Sequence, residues 1–120
     1  AVGSVVRVQN EAQIDAVTGV SGSGPAYVFH LIETLAAGGV AMGLSEDLAM
    51  QLAKATVAGA GALAASAEDT PEQLRVNVTS PGGTTQAALE VLMDTETGFP
   101  ALLPKAVAAA THRAQELADE

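Results

Sequence analysis

The sequence predicts an all-α fold, a helical bundle with a short strand remnant at its N-terminus, and three observations predict it. Hydrophobic residues make up 48% of the 120-residue chain but aromatic residues only 2%, so the apolar bulk is Ala, Val and Leu. Small side chains let backbones approach closely. Ala and Leu favour helix, and the β-branched and aromatic runs that make sheets are scarce. Second, residues that start and stop helices punctuate the chain from Asn10 onward. Third, two long segments follow the helical period with almost no polar face. The length suits one domain with its own core.

Taken in order, Val5-Val6-Arg7-Val8 reads as a short strand without a partner. Asn10 caps a short helix that runs to about Thr18, with Gln13 at the capping-box position. Ser21-Gly22-Ser23-Gly24-Pro25 breaks that helix and starts the next, since proline suits the first helical position. Pro25 to Met42 is apolar almost all round, with Val28, Leu31, Ile32, Leu35 and Met42 in one stripe, and Gly43 supplies a left-handed stop. Ser45 caps a third helix, Glu46 to about Ala67, again apolar on most sides. A helix without a polar face is buried or packs against a second chain. Two of them exceed what one small monomer encloses, so the expected assembly is an obligate, intertwined oligomer.

Thr70-Pro71-Glu72-Gln73 combines a cap, a proline at the first position and Gln at the capping-box position of a helix to about Asn77. A glycine-bearing loop, Thr79 to Gly83, leads into a helix from Thr84 to about Met93. Asp94 to Gly98 is polar and loop-like, and a last helix runs from Pro100 to about Ala118.

The net charge of −9 argues against nucleic acid and anionic membrane surfaces as partners. Many acids sit where helices begin, such as Glu46, Asp47 and Glu72, where the helix dipole favours them. No cysteine is present, which removes disulfides and thiolate metal sites and makes a reducing, cytoplasmic setting the expectation. Ala1 to Gln9 lacks the features of a signal peptide. No stretch reaches about eighteen uninterrupted apolar residues, the length a membrane span requires.

Gly59-Ala60-Gly61-Ala62-Leu63-Ala64 matches the dinucleotide pattern G-x-G-x-x-A but sits inside a capped helix, without the preceding strand the motif needs. Its glycines are expected to let another helix approach. His30 and His112 lack Cys or acidic partners at ligand spacing, so no metal site is expected. Glu33, a lone acid on an apolar helix, is expected to pair or to sit at a subunit contact. The run Thr79-Ser80-Pro81-Gly82-Gly83-Thr84-Thr85 differs from these. Adjacent glycines at a helix start expose backbone N–H groups at the positive end of the dipole, and Ser80, Thr84 and Thr85 add hydroxyls. Physics alone leaves two readings open, a small-anion site or a well-capped helix start.

This loop and a second block give the chain its resemblance. Leu74, the run Val78 to Thr85, Ala88, Leu89 and Leu92 are similar to a signature of the pyrroline-5-carboxylate reductases. Asp15-Ala16-Val17-Thr18 followed by Ser21-Gly22-Ser23-Gly24-Pro25-Ala26-Tyr27 resembles the family's other hallmark, and the likeness extends from about Val5 to Leu117. Met93 stands where the family usually has a polar residue, and the Asp94 to Gly98 connection is longer than the common form.

The resemblance implies the dimerisation and substrate-binding half of an oxidoreductase that reduces 1-pyrroline-5-carboxylate to L-proline, the last step of proline biosynthesis. Residues 1–9 would end a dinucleotide-binding domain preceding Ala1, and residues 10–120 would form the helical domain. NADPH or NADH would be held mainly by the preceding domain, with the nicotinamide near Ser21, Gly22, Ser23, Gly24 and Pro25. The substrate carboxylate would lie on the N–H groups of Gly82, Gly83 and Thr84, with Ser80 as a further donor. Thr85 would be the catalytic residue, contacting the imine nitrogen. A threonine has no useful pKa near neutrality, so its role would be orientation. A homodimer or an oligomer of dimers is implied, and the segment alone is expected to be inactive. Two other readings compete: a non-catalytic helical dimerisation module that keeps the loop, and the helical domain of another small-acid dehydrogenase.

Overall fold

A computed structural model describes residues 10–119, all of whose regular elements are helical. The expected strand at Val5–Val8 lies outside the described residues. In order, the elements are α1 (Glu11–Val17), a π-turn (Thr18–Gly22), α2 (Gly24–Ala41), α3 (Glu46–Ser66), α4 (Pro71–Asn77), α5 (Thr84–Leu92) and α6 (Phe99–Ala118). The chain forms two compact units, residues 10–27 with 89–119, and residues 28–88.

In the first unit the Asn10 side chain accepts from the Gln13 N–H at 2.9 Å, as its cap position dictates. The break expected within Ser21–Pro25 falls at Ser23, between the π-turn and α2, although α1 does not end there but at Val17. The chain leaves α1 directly into the π-turn, and the Ser23 N–H donates to the Thr18 carbonyl at 2.9 Å. Helix α6 packs on both α1 and the π-turn. Gly19 makes that contact possible. A Cβ there would lie on the Thr111 hydroxyl oxygen and 2.9 Å from the Val107 carbonyl oxygen. Ahead of α6, the Asp94 side chain accepts from the N–H groups of Glu96 at 2.8 Å and Thr97 at 2.9 Å. These bonds favour the charged carboxylate and hold its pKa below the ordinary aspartate range, Glu96 contributing most. The long Asp94 to Gly98 connection is thereby an ordered turn.

In the second unit α2 ends in a Schellman motif. The Leu44 N–H reaches the Gly39 carbonyl at 3.1 Å, the Gly43 N–H reaches Val40 at 3.0 Å, and Gly43 takes φ of 106°. Ser45 then caps α3 by accepting from the Leu48 N–H at 3.2 Å. The two helices meet through small residues. Ala36, Ala49 and Ala53 are the buried apolar residues among those described, with Ile32 and Met50 packed beside them. A Cβ on Gly39 would stand 3.2 Å from the Ala49 Cβ, so the backbones are as close as glycine and alanine permit.

Outside that contact the apolar faces are open. Phe29 is 64% exposed, Leu63 52% and Met42 84%, and Val28, Leu35 and Leu52 are exposed with them. Of the two alternatives for a helix without a polar face, the described residues of this chain do not provide burial. Helix α3 is also long and apolar enough to cross a bilayer by length and composition, although Lys54 interrupts it. A lysine near a span's centre costs about 2.5–3.5 kcal/mol, which disfavours that use of the helix.

Candidate functional site

Helix α4 is capped by Thr70, which accepts from the Gln73 N–H at 3.1 Å. The reciprocal half of the capping box does not form, because the Gln73 amide donates forward to Asn77 at 2.7 Å. After α4 the Thr79 hydroxyl turns back to the Arg75 carbonyl at 2.6 Å and fixes the departure of the chain. Ser80-Pro81-Gly82-Gly83 then forms a type II turn. The Gly83 N–H donates to the Ser80 carbonyl at 3.0 Å, proline occupies the second position, and Gly82 has φ of 73°. Only glycine reaches that φ without strain, which explains the first glycine of the pair. The second is needed for space, since a Cβ on Gly83 would stand 3.2 Å from the Ser80 carbonyl oxygen.

The turn corrects one expectation. The N–H groups of Gly82 and Gly83 are not free. That of Gly83 closes the turn, and that of Gly82 donates to the Gln86 side chain. The unpaired donors lie further along, at Thr84, Thr85 and Gln86, the first turn of α5, whose intrahelical ladder begins with the Ala87 N–H on the Gly83 carbonyl at 3.2 Å. The first turn of α5 carries no acid, unlike those of α1, α3 and α4, so no residue of that turn offsets its dipole. Thr84 and Ser80 are exposed and Thr85 is half-buried. The loop thus brings Ser80, Gly82, Gly83, Thr84 and Thr85 together, with three N–H groups aligned for an anionic oxygen.

Gln86 escaped the sequence reading. It stands three residues after Gly83, the capping-box distance, but the helix cap there is glycine, so the usual Ser or Thr signal is missing.

The residues Ser21 to Pro25 lie in the first unit, at the end of the π-turn and the start of α2. The Ser21 hydroxyl donates to the Val17 carbonyl at 3.1 Å, and nothing stands within 4 Å of a Cβ placed on Gly24. The stretch offers hydroxyls and open glycine backbone and carries no cation. Hydroxyls and backbone groups of this kind can hydrogen-bond a carboxamide or an anionic oxygen alike.

The remaining motifs carry no site. Helix α3 runs unbroken through Gly59 and Gly61, so the dinucleotide pattern has no turn to hold a phosphate. Contrary to expectation His30 has an acidic neighbour, with Nδ1 3.2 Å from Glu33 Oε1, and this is the pairing foreseen for Glu33. Both side chains are exposed, and no group of three metal-ligating side chains exists among the described residues.

Residues 11–117 match the model of a family described as pyrroline-5-carboxylate reductase dimerisation. The chain is 47% identical to the pyrroline-5-carboxylate reductase of Pseudomonas aeruginosa over its whole length, covering 43% of that protein. It is 50% identical to that of Arabidopsis thaliana over 98% of the chain and 41% of the relative. Among solved structures, a pyrroline-5-carboxylate reductase from Coxiella burnetii superposes with a TM-score of 0.89 at 43% identity, over 97% of this chain and 42% of that one. A Plasmodium falciparum pyrroline carboxylate reductase with NADP bound superposes with a TM-score of 0.81 at 34% identity, over 92% and 41% of the two chains. The chain therefore spans less than half the length of the relatives it matches.

Proposed function

The chain belongs to the pyrroline-5-carboxylate reductase dimerisation family, and on that premise we propose that it is the substrate-binding and dimer-forming part of an enzyme reducing 1-pyrroline-5-carboxylate to L-proline. The observation that carries the reading is the first turn of α5, which holds no acid and in which the N–H groups of Thr84, Thr85 and Gln86 stand unpaired. The substrate is a cyclic imine bearing a carboxylate. Its carboxylate lies on these donors, with the exposed Ser80 hydroxyl as a further one, and the dipole of α5 adds to the attraction. The Thr85 hydroxyl then faces the imine nitrogen and orients the ring, holding the nitrogen where it gains or keeps its proton. NADPH or NADH, held mainly by the domain preceding Ala1, supplies the hydride to the imine carbon when bound. Ser21, Gly22, Ser23, Gly24 and Pro25 flank its nicotinamide. This segment without that domain is inactive.

The partner is a second copy. The open faces of α2 and α3 are covered in a homodimer, and this accounts for an apolar helix of spanning length without a membrane.

Steady-state kinetics on the full-length enzyme test the site. Gly83→Val crowds the Ser80 carbonyl and the carboxylate seat, so substrate affinity falls first. Loss of a hydrogen bond to a charged group costs about 1.5–3 kcal/mol, roughly ten- to a hundredfold. Thr85→Val keeps shape but deletes the hydroxyl, so turnover falls more than affinity does. Thr84→Val keeps its backbone donor and has the smaller effect. Wild-type behaviour of Thr85→Val beside an inactive Thr84→Val would overturn the assignment.

A further inference from the structure

Tyr27 stands in the first turns of α2, and its half-buried hydroxyl donates to the Gly19 carbonyl oxygen at 2.7 Å. That carbonyl belongs to the π-turn, so the bond reaches across the whole Ser21–Pro25 stretch. The backbone ladder crosses this stretch through the Ser23 N–H on the Thr18 carbonyl at 2.9 Å and the Ala26 N–H on the Ser23 carbonyl at 3.1 Å, while Pro25 has no N–H to give. On its other side Gly19 lies buried against Thr111 and Val107 of α6. Gly19 is thereby clamped between α6 and the Tyr27 hydroxyl, and Ser21 to Gly24 hang from a fixed point.

A π-turn differs from α-helix by one inserted residue. Moving that residue along the chain rotates the side chains between its old and new positions by about 100° around the helix axis. A tether across the turn is what prevents this slip.

We propose that Tyr27 is a positioning residue, whose hydroxyl fixes the π-turn register in which Ser21, Gly22, Ser23 and Gly24 face the nicotinamide. The inference rests on the proposed function, in which this stretch flanks the cofactor; Tyr27 acts on it through Gly19 and touches no reacting atom.

The test uses the full-length enzyme with Tyr27→Phe, which keeps the ring and removes the donor. NADPH affinity is read by fluorescence titration without substrate, alongside the KM for pyrroline-5-carboxylate and the melting temperature. Loss of one neutral hydrogen bond raises the NADPH Kd roughly two- to tenfold, with substrate KM unchanged. Gly24→Val, at a site with open space for the side chain, tests the cofactor reading itself and raises the Kd as well. A wild-type Kd in Tyr27→Phe beside a raised one in Gly24→Val overturns the tether alone. Wild-type Kd values in both overturn the cofactor reading and the tether with it. Equal losses in NADPH Kd and substrate KM, tracking a lower melting temperature, overturn the tether in favour of a general packing role.

Discussion

Gly59 and Gly61 stand in the interior of α3 with nothing within 4 Å of the place a Cβ would take. Considered within one chain, each is a helix position where alanine is better by about 0.8–1.0 kcal/mol. Gly59→Ala and Gly61→Ala would then raise stability, together by about 2 kcal/mol. A second copy seated on that face reverses the sign. A methyl group forced between close-packed helices costs about 1–3 kcal/mol, which offsets and exceeds the propensity gain. The expected outcome is that at least one of the two variants is destabilised. Its midpoint, like that of the wild type, should fall as the chain is diluted, because dimer stability depends on concentration. Urea denaturation at two concentrations, with sedimentation equilibrium on the same samples, reads both effects. Two variants that are each stabilised, with midpoints independent of concentration, would refute the placement of a partner on α3.

Gly19→Ala drives a methyl onto the Thr111 hydroxyl and the Val107 carbonyl and should destabilise the first unit by about 1–3 kcal/mol in thermal melts. Thr111→Ala should rescue it only in part, because the backbone oxygen stays; full rescue would show that Thr111 alone sets the spacing. The lowered pKa of Asp94 means the folded state binds its proton less readily than the unfolded chain does. Its contribution is therefore present above the ordinary aspartate pKa and lost as pH falls through the lower, folded value. Amide shifts of Glu96 and Thr97 should follow that titration in NMR, with a midpoint below that of an unfolded peptide; a midpoint at or above it would contradict the Asp94 turn.

The sequence announces its helices through chemistry that acts locally. Asn10, Ser45 and Thr70 each accept from the N–H three residues on, and Gly43 takes the left-handed turn its position requires. The junction at Ser21 was less legible. Gly and Ser in succession mark the break at Ser23, whereas the π-turn before it is held by Tyr27 and by contact with α6, neither of which leaves a periodic trace. At the loop the residue types pointed to the right place, but which N–H groups stay free depends on turn closure. Pro81 followed by glycine signals a type II turn, and such a turn spends the Gly83 donor on Ser80. Gln86 took the other donor from a position where its cap partner is a glycine.

With three alanines as the buried apolar contact among the described residues, these helices have little to gain from folding alone. With a second copy covering α2 and α3, folding becomes a bimolecular event. Its rate then scales with how many nascent chains are present. At typical association constants of roughly 10⁵–10⁷ M⁻¹s⁻¹, a chain at about 100 nM waits on the order of one to a hundred seconds for a mate. During that interval Phe29, Met42 and Leu63 are open to chaperones and proteases. Under the proposed dimer, the yield of folded protein would rise with the concentration of chains.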